Sequence, residues 1–188
     1  MVYGSFPDGT QSADDMFTYR IYNRYSTKES EISNEKGEVV AYIQRTYPNP
    51  LIRWLDILTE GALFTDYRLT DKGGNLIVEA KQIRTFIKRR QYDVAYRSCE
   101  GTFRIHLIDK KIFDLGEKTS FEFQDRTYEL VKPLTDWGQI KLGGNVLAEW
   151  KETLTIPAKA RFKLVDPAFK EHELLFLGIF HTYLHSPK

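Results

Sequence analysis

Cysteine is almost missing from this chain: Cys99 is the only one in 188 residues. No disulfide can close within it, and a reducing, cytoplasmic setting is the expectation. Long apolar runs are missing as well. The longest, Leu174–Phe180 counting Gly178, has seven residues, against the roughly 18–20 that a membrane-spanning helix needs. The first residues carry Asp8, Asp14 and Asp15 and no apolar stretch, so a secretory leader is not expected. Net charge is also missing, at +1, which removes any general attraction to nucleic acid or an acidic surface. G-x-S-x-G, H-E-x-x-H and paired Cys/His metal spacings do not occur, so no catalytic residue, metal site or cofactor is indicated. Gly116-Glu117-Lys118-Thr119 imitates the end of a phosphate-binding loop, but Lys111 stands where the motif requires its first glycine. A turn before a strand is the better reading. An enzyme is not expected.

What is present is aromatic and alternating. Phe, Tyr and Trp make up 14% of the chain, and these residues suit a pleated, half-buried surface. After a polar, turn-rich segment up to residue 16, three glycine turns each feed an apolar run. Asn34–Gly37 precedes Val39–Ile43, Asp71–Asn75 precedes Leu76–Ala80, and Lys141–Asn145 precedes Val146–Trp150. Gly and Asn supply the positive φ that tight hairpins require. Strict alternation marks further strands: Phe103, Ile105 and Leu107; Phe121 and Phe123; Tyr128 and Leu130; Ala158, Ala160, Phe162 and Leu164. So many one-sided strands need one shared core, which predicts a barrel or sandwich.

Two segments leave this rhythm. Asn49 suits a helix N-cap, Pro50 the first helical position and Gly61 the position after the last turn. Between them Leu51, Trp54, Leu55 and Leu58 fall on one face, with Arg53, Asp56 and Glu60 opposite. That face is expected to lie on the core as a lid; contact with a membrane is the other reading. The second segment opens at Pro167 and continues through Leu174, Leu175, Phe176, Leu177, Ile179 and Phe180, apolar on every side. A helix apolar all round has to be enclosed by protein, and in a β chain the natural enclosure is a closed barrel. Leu174, Leu175, Leu177, Ile179 and Phe180 are therefore expected to be buried, ringed by Phe103, Ile105, Phe121, Phe123 and Phe162.

The C-terminal stretch Asp166–Phe180, with its polar lead into a Leu-Leu-x-Leu-Gly helix, and the hairpin Tyr67–Lys81 resemble the tubby C-terminal and LURP-one/phospholipid-scramblase-like superfamily. The resemblance implies a closed antiparallel barrel of about twelve strands around a buried apolar C-terminal helix, forming one domain over residues 17–188. It also implies binding rather than catalysis, since tubby domains hold phosphoinositide head groups on a basic surface. Scrambling and calcium dependence are not carried over, because the cysteine-rich and acidic calcium-loop features are missing here.

Charge is unevenly distributed. Residues 1–80 hold eight basic and twelve acidic side chains, and Lys81–Arg97 alone holds six basic residues against Asp93. Arg84, Lys88 and Arg90 share parity and so one face of an extended strand; with Lys81 and Arg89 they form the candidate anion site. Lys159, Arg161 and Lys163 form a second single-faced row. Solvated outer faces of barrel strands are the competing reading of both rows. Tyr92 and Tyr96 between the cations suit base stacking, although the neutral total argues against nucleic acid. His181 and His185, one helical turn apart, suit a metal or simply a helix C-terminus. The leading expectation is a cytoplasmic, non-catalytic domain, peripheral at the membrane, that binds an anionic ligand or phospholipid head group. The alternative is a protein-interaction module that makes its contact through the Leu51–Leu58 helix.

Overall fold

Hairpin after hairpin, the glycine turns bring antiparallel strands side by side until the last strand meets the first. The computed structural model describes residues 16–23, 26–58, 66–83, 91–109, 117–133, 136–153 and 155–185. In chain order these form β1 (Met16–Arg20), β2 (Ser30–Ser33), β3 (Val39–Thr46), α1 (Pro50–Leu58), β4 (Asp66–Asp71), β5 (Leu76–Ile83) and β6 (Gln91–Ser98). They continue with β7 (Gly101–Asp109), β8 (Glu117–Phe123), β9 (Arg126–Lys132), β10 (Gly138–Leu142), β11 (Asn145–Thr153) and β12 (Lys159–Leu164). A 3-10 helix, Pro167–His172, then leads into α2 (Glu173–Leu184). Every strand pairs with its sequence neighbour, and β1 pairs with β12, so the barrel is closed and leaves no free edge. This is the mainly β, twelve-strand architecture expected from the sequence. No described helix is long and apolar enough to cross a membrane.

Inside, Leu175, Phe176, Leu177, Ile179, Phe180 and Tyr183 of α2 are fully buried. Ile105, Phe121, Phe123 and Phe162 surround them as expected and are buried. Two members of the expected set fall short: Leu174 and Phe103 are only half-buried and pack at the rim of the core. Both sit near the end of the barrel where α2 enters, and a barrel mouth cannot enclose a side chain on all sides. Gly178 lets the helix approach β5, since a Cβ there would come within 3.0 Å of Val78 Cγ1.

The antiparallel register places α1, the β1–β2 connection, the β11–β12 turn and the C-terminus of α2 at one end of the barrel. The glycine turns 34–37, 71–75 and 142–145 lie at the other.

Candidate functional site: a cationic outer face

On β12 the burial alternates strictly, with Ala160, Phe162 and Leu164 inside and Lys159, Arg161 and Lys163 outside. The partner strands decide what surrounds this row. On β1, Arg20 lies directly opposite Lys159 and Thr18 opposite Arg161. On β11, Lys151 lies opposite Arg161 and Glu149 opposite Lys163. Five cations from three adjacent strands therefore share one outer face. Lys163 bonds Glu149 at 2.8 Å, and Glu149 also accepts from Gln139 at 2.7 Å. Glu31, exposed on β2 beyond β1, also borders the patch.

Arg20, Lys151, Lys159 and Arg161 make no ion pair among the described residues. Two of them rest on aromatic rings instead. The Arg20 guanidinium lies 4.8 Å from the Tyr22 centroid. Lys151 and Lys163 lie 6.0 and 5.5 Å from that of Trp137. Such contacts hold a cation without neutralising it.

This face differs from the rest of the exterior. Elsewhere, cross-strand neighbours carry opposite charge, Arg68 with Glu79 at 3.0 Å and Lys118 with Glu129 at 3.1 Å, and His106 Nδ1 lies 2.8 Å from the Asp93 carboxylate. Arg20 opposite Lys159 and Lys151 opposite Arg161 are like-charged pairs, which are unfavourable in an antiparallel sheet. Solvation alone would be served equally well by mixed signs.

Of the other cationic row, only Lys81 lies among the described residues. Arg84, Lys88, Arg89 and Arg90 lie outside the described residues. Lys81, on the outside of β5, bonds Glu79 at 3.2 Å and stands in register with Asp93, so its charge is locally balanced. Four strands, β1 to β4, separate β5 from β12 along the shorter way round. Tyr92 and Tyr96 point inwards and are buried, which removes them as stacking platforms for bases. Strand pleating forces this outcome, because residues of one parity share one face.

The mouth of the barrel near the cationic face holds a buried polar chain. Trp150 Nε1 donates to the Tyr19 hydroxyl at 2.9 Å, and that hydroxyl lies 3.1 Å from His181 Nδ1. Indole nitrogen can only donate, so the Tyr19 hydroxyl accepts from Trp150, while the direction of its bond to Nδ1 follows the His181 tautomer. Burial, and secondarily the neighbouring His185, holds His181 well below the usual histidine pKa. Burial likewise pushes the Tyr19 hydroxyl far up. The His181 and His185 rings lie 4.9 Å apart, but no group of three metal-ligating side chains occurs among the described residues. Glu152 faces Lys132 and Tyr19 at this mouth; partial desolvation raises its carboxyl pKa while Lys132 opposes the shift. The cavity beside His181 measures about 30 Å³, room for about one water. A ligand of any size is therefore met by the surface, not by that cavity.

At the same end, α1 is turned the other way from the expected lid. Its cap is as expected, with Asn49 Oδ1 accepting from the Ile52 amide at 2.8 Å. Leu51, Trp54, Leu55, Ile57 and Leu58 are nevertheless exposed, and the one buried residue is Asp56. Asp56 Oδ2 accepts from Arg45 at 2.8 Å and from the Tyr47 hydroxyl at 2.7 Å. A buried guanidinium demands a carboxylate, and meeting that demand outweighs burial of the apolar face.

The molecule is thus a closed twelve-strand β-barrel filled by a C-terminal helix, with one cationic outer face. The family model of the Tubby C-terminal like domain matches residues 17–186, and the chain belongs to that family. Neither the curated proteins nor the solved structures gave a match.

Proposed function

We propose that this chain is a non-catalytic binding domain for an anionic ligand or phospholipid head group, with Arg20, Lys151, Lys159 and Arg161 as its principal contacts and Lys163 at the edge. The observation that carries this reading is the pair of like-charged cross-strand contacts, Arg20–Lys159 and Lys151–Arg161. An anion lying across both pairs would relieve their repulsion and gain charge-assisted hydrogen bonds. Membership of the tubby-like family supports the same reading. A cytoplasmic protein, peripheral at the membrane, fits it.

The test is sedimentation of the full chain with vesicles of phosphatidylcholine, alone or mixed with phosphatidylserine, at low and high salt. Binding should require the anionic lipid, weaken with salt, and be lost in Lys159→Glu/Arg161→Glu. Equal sedimentation of that variant would end the proposal. A second reading, a protein-interaction module, is favoured by the apolar outer face of α1. It requires no response to lipid charge.

A further inference from the structure

The apolar outer face of α1 is not an accident of a poorly amphipathic helix. At 100° per residue, Leu51, Trp54 and Leu58 fall within about 60° of one another, and Asp56 lies roughly 140–160° away. The helix is strongly two-faced, and its polar face is the one anchored in protein through Arg45 and Tyr47. Leu51, Trp54 and Leu58 are 66%, 57% and 62% exposed.

A second apolar tip stands at the same end. Ile156, in the turn between β11 and β12, is fully exposed. That turn projects beyond Lys159, which faces Arg20 across the strand pair. Apolar tips from two non-adjacent elements thus share one end of the barrel with unpaired cations set behind one of them. The opposite end differs in charge. Its turns at 34–38, 71–75, 98–101, 123–126 and 164–167 carry six acidic and three basic residues.

We propose that this end docks on an anionic lipid bilayer, with Leu51, Trp54, Ile57 and Leu58 of α1 and Ile156 of the β11–β12 turn entering the boundary between head groups and acyl chains. The proposal rests on the head-group reading above and adds the source of the anion, the orientation of the barrel and a set of inserting residues. Charge complementarity selects the bilayer. The cations beside the β11–β12 turn meet phosphate and carboxylate head groups while the tip beyond them reaches the apolar layer. Trp54, amphipathic and half in solvent, is suited to the interface, and Arg53 can keep its charge among the head groups while its stem lies along the apolar layer.

The test uses the full chain with vesicles of phosphatidylcholine and phosphatidylserine, in parallel with brominated phosphatidylcholine to report tryptophan depth. Wild-type emission should be quenched on binding, and Trp54→Phe should lose most of that quenching while still sedimenting. Leu51→Glu/Leu58→Glu should bind about tenfold or more weakly and melt with the wild type, since both side chains already face solvent. The same variant should retain wild-type affinity for soluble inositol hexakisphosphate, which reports the cationic face alone. Equal vesicle affinity and no Trp54 quenching would overturn the insertion and leave the head-group reading standing. A wild-type chain that binds inositol hexakisphosphate but no vesicles would do the same. A large fall in melting temperature for the glutamate variant would show that the chain covers this face itself. A dimer dissolved by that variant would show that a second copy does. Either result overturns the proposal. No binding of either probe would remove both readings together.

Discussion

Arg45 and Asp56 meet at 2.8 Å with side chains 4% and 0% exposed, and this one ion pair fixes which face α1 shows to solvent. Breaking a buried pair leaves an uncompensated charge and costs about 3–5 kcal/mol. Asp56→Ala should therefore lower the unfolding free energy by about that amount in a urea titration. Arg45→Met/Asp56→Leu should lose less than the single change, because no charge is stranded. A single variant as stable as wild type would show that the pair does not anchor α1.

Burial of two histidines, His181 beside Tyr19 and His172 beside Tyr96, makes the fold acid-sensitive, since both have lowered pKa values. His181 is buried and neutral in the fold, facing Tyr19, Tyr67 and His185, with a pKa depressed below 6.5. The unfolded chain takes up a proton below about pH 6.5 that the folded chain resists, so the contribution is present above that pH and declines as pH falls through it. Melting temperature should drop between pH 7.5 and 5.5, and His181→Asn, which offers both a donor and an acceptor near the Nδ1 position, should flatten the slope. An unchanged slope would assign the acid sensitivity elsewhere.

Removing the hydroxyl between them should also be costly. Tyr19→Phe strands the Trp150 indole N–H and leaves His181 Nδ1 without its hydroxyl partner, each an unsatisfied buried group worth about 1–3 kcal/mol. Chemical denaturation is the check, and a loss below about 0.5 kcal/mol would contradict the polar chain.

Gly178 and Val78 define how closely α2 lies against the wall. With a new Cβ only 3.0 Å from Val78 Cγ1 and 3.3 Å from its Cβ and Cγ2, Gly178→Ala overpacks a β-branched neighbour that has little freedom to turn. The expected loss is about 1–3 kcal/mol, against the gain of up to about 1 kcal/mol that Ala ordinarily brings to a helix. Gly178→Ala/Val78→Ala should recover much of it, and failure to do so would place the strain elsewhere.

Much of this was legible in the sequence, for physical reasons that differ from residue to residue. Gly37 and Gly74, with φ of 78° and 82°, announce their hairpins because few other residues reach that region. Leu175 to Phe180 announce an enclosed helix because they are apolar on every side. The orientation of α1 was not legible, since periodicity finds an apolar face and cannot know that buried Arg45, behind it in the chain, needs Asp56. Lys159, Arg161 and Lys163 were visible as a row. Arg20 was not, because only the closing register joins a strand near residue 20 to one near residue 160, and Lys151 was not, because its place opposite Arg161 depends on the exact register of the β11–β12 hairpin. Nor did the sequence show Lys81 balanced by Glu79.

Ending the chain at Val165 tests the enclosed helix. Six fully buried side chains of α2, at about 1.5–3 kcal/mol each, amount to about as much as the roughly 5–15 kcal/mol net stability of a domain. The truncated chain should show no cooperative melting transition, and retention of one would mean that the barrel stands without its core helix.

Amide chemical-shift mapping during titration with inositol hexakisphosphate reads out, residue by residue, whether the outer faces of β1, β11 and β12 bind the anion. The largest shifts are expected at Arg20, Lys151, Lys159 and Arg161, diminishing as salt is raised. Shifts concentrated on the acidic turns at the other end, or none at all, would contradict it.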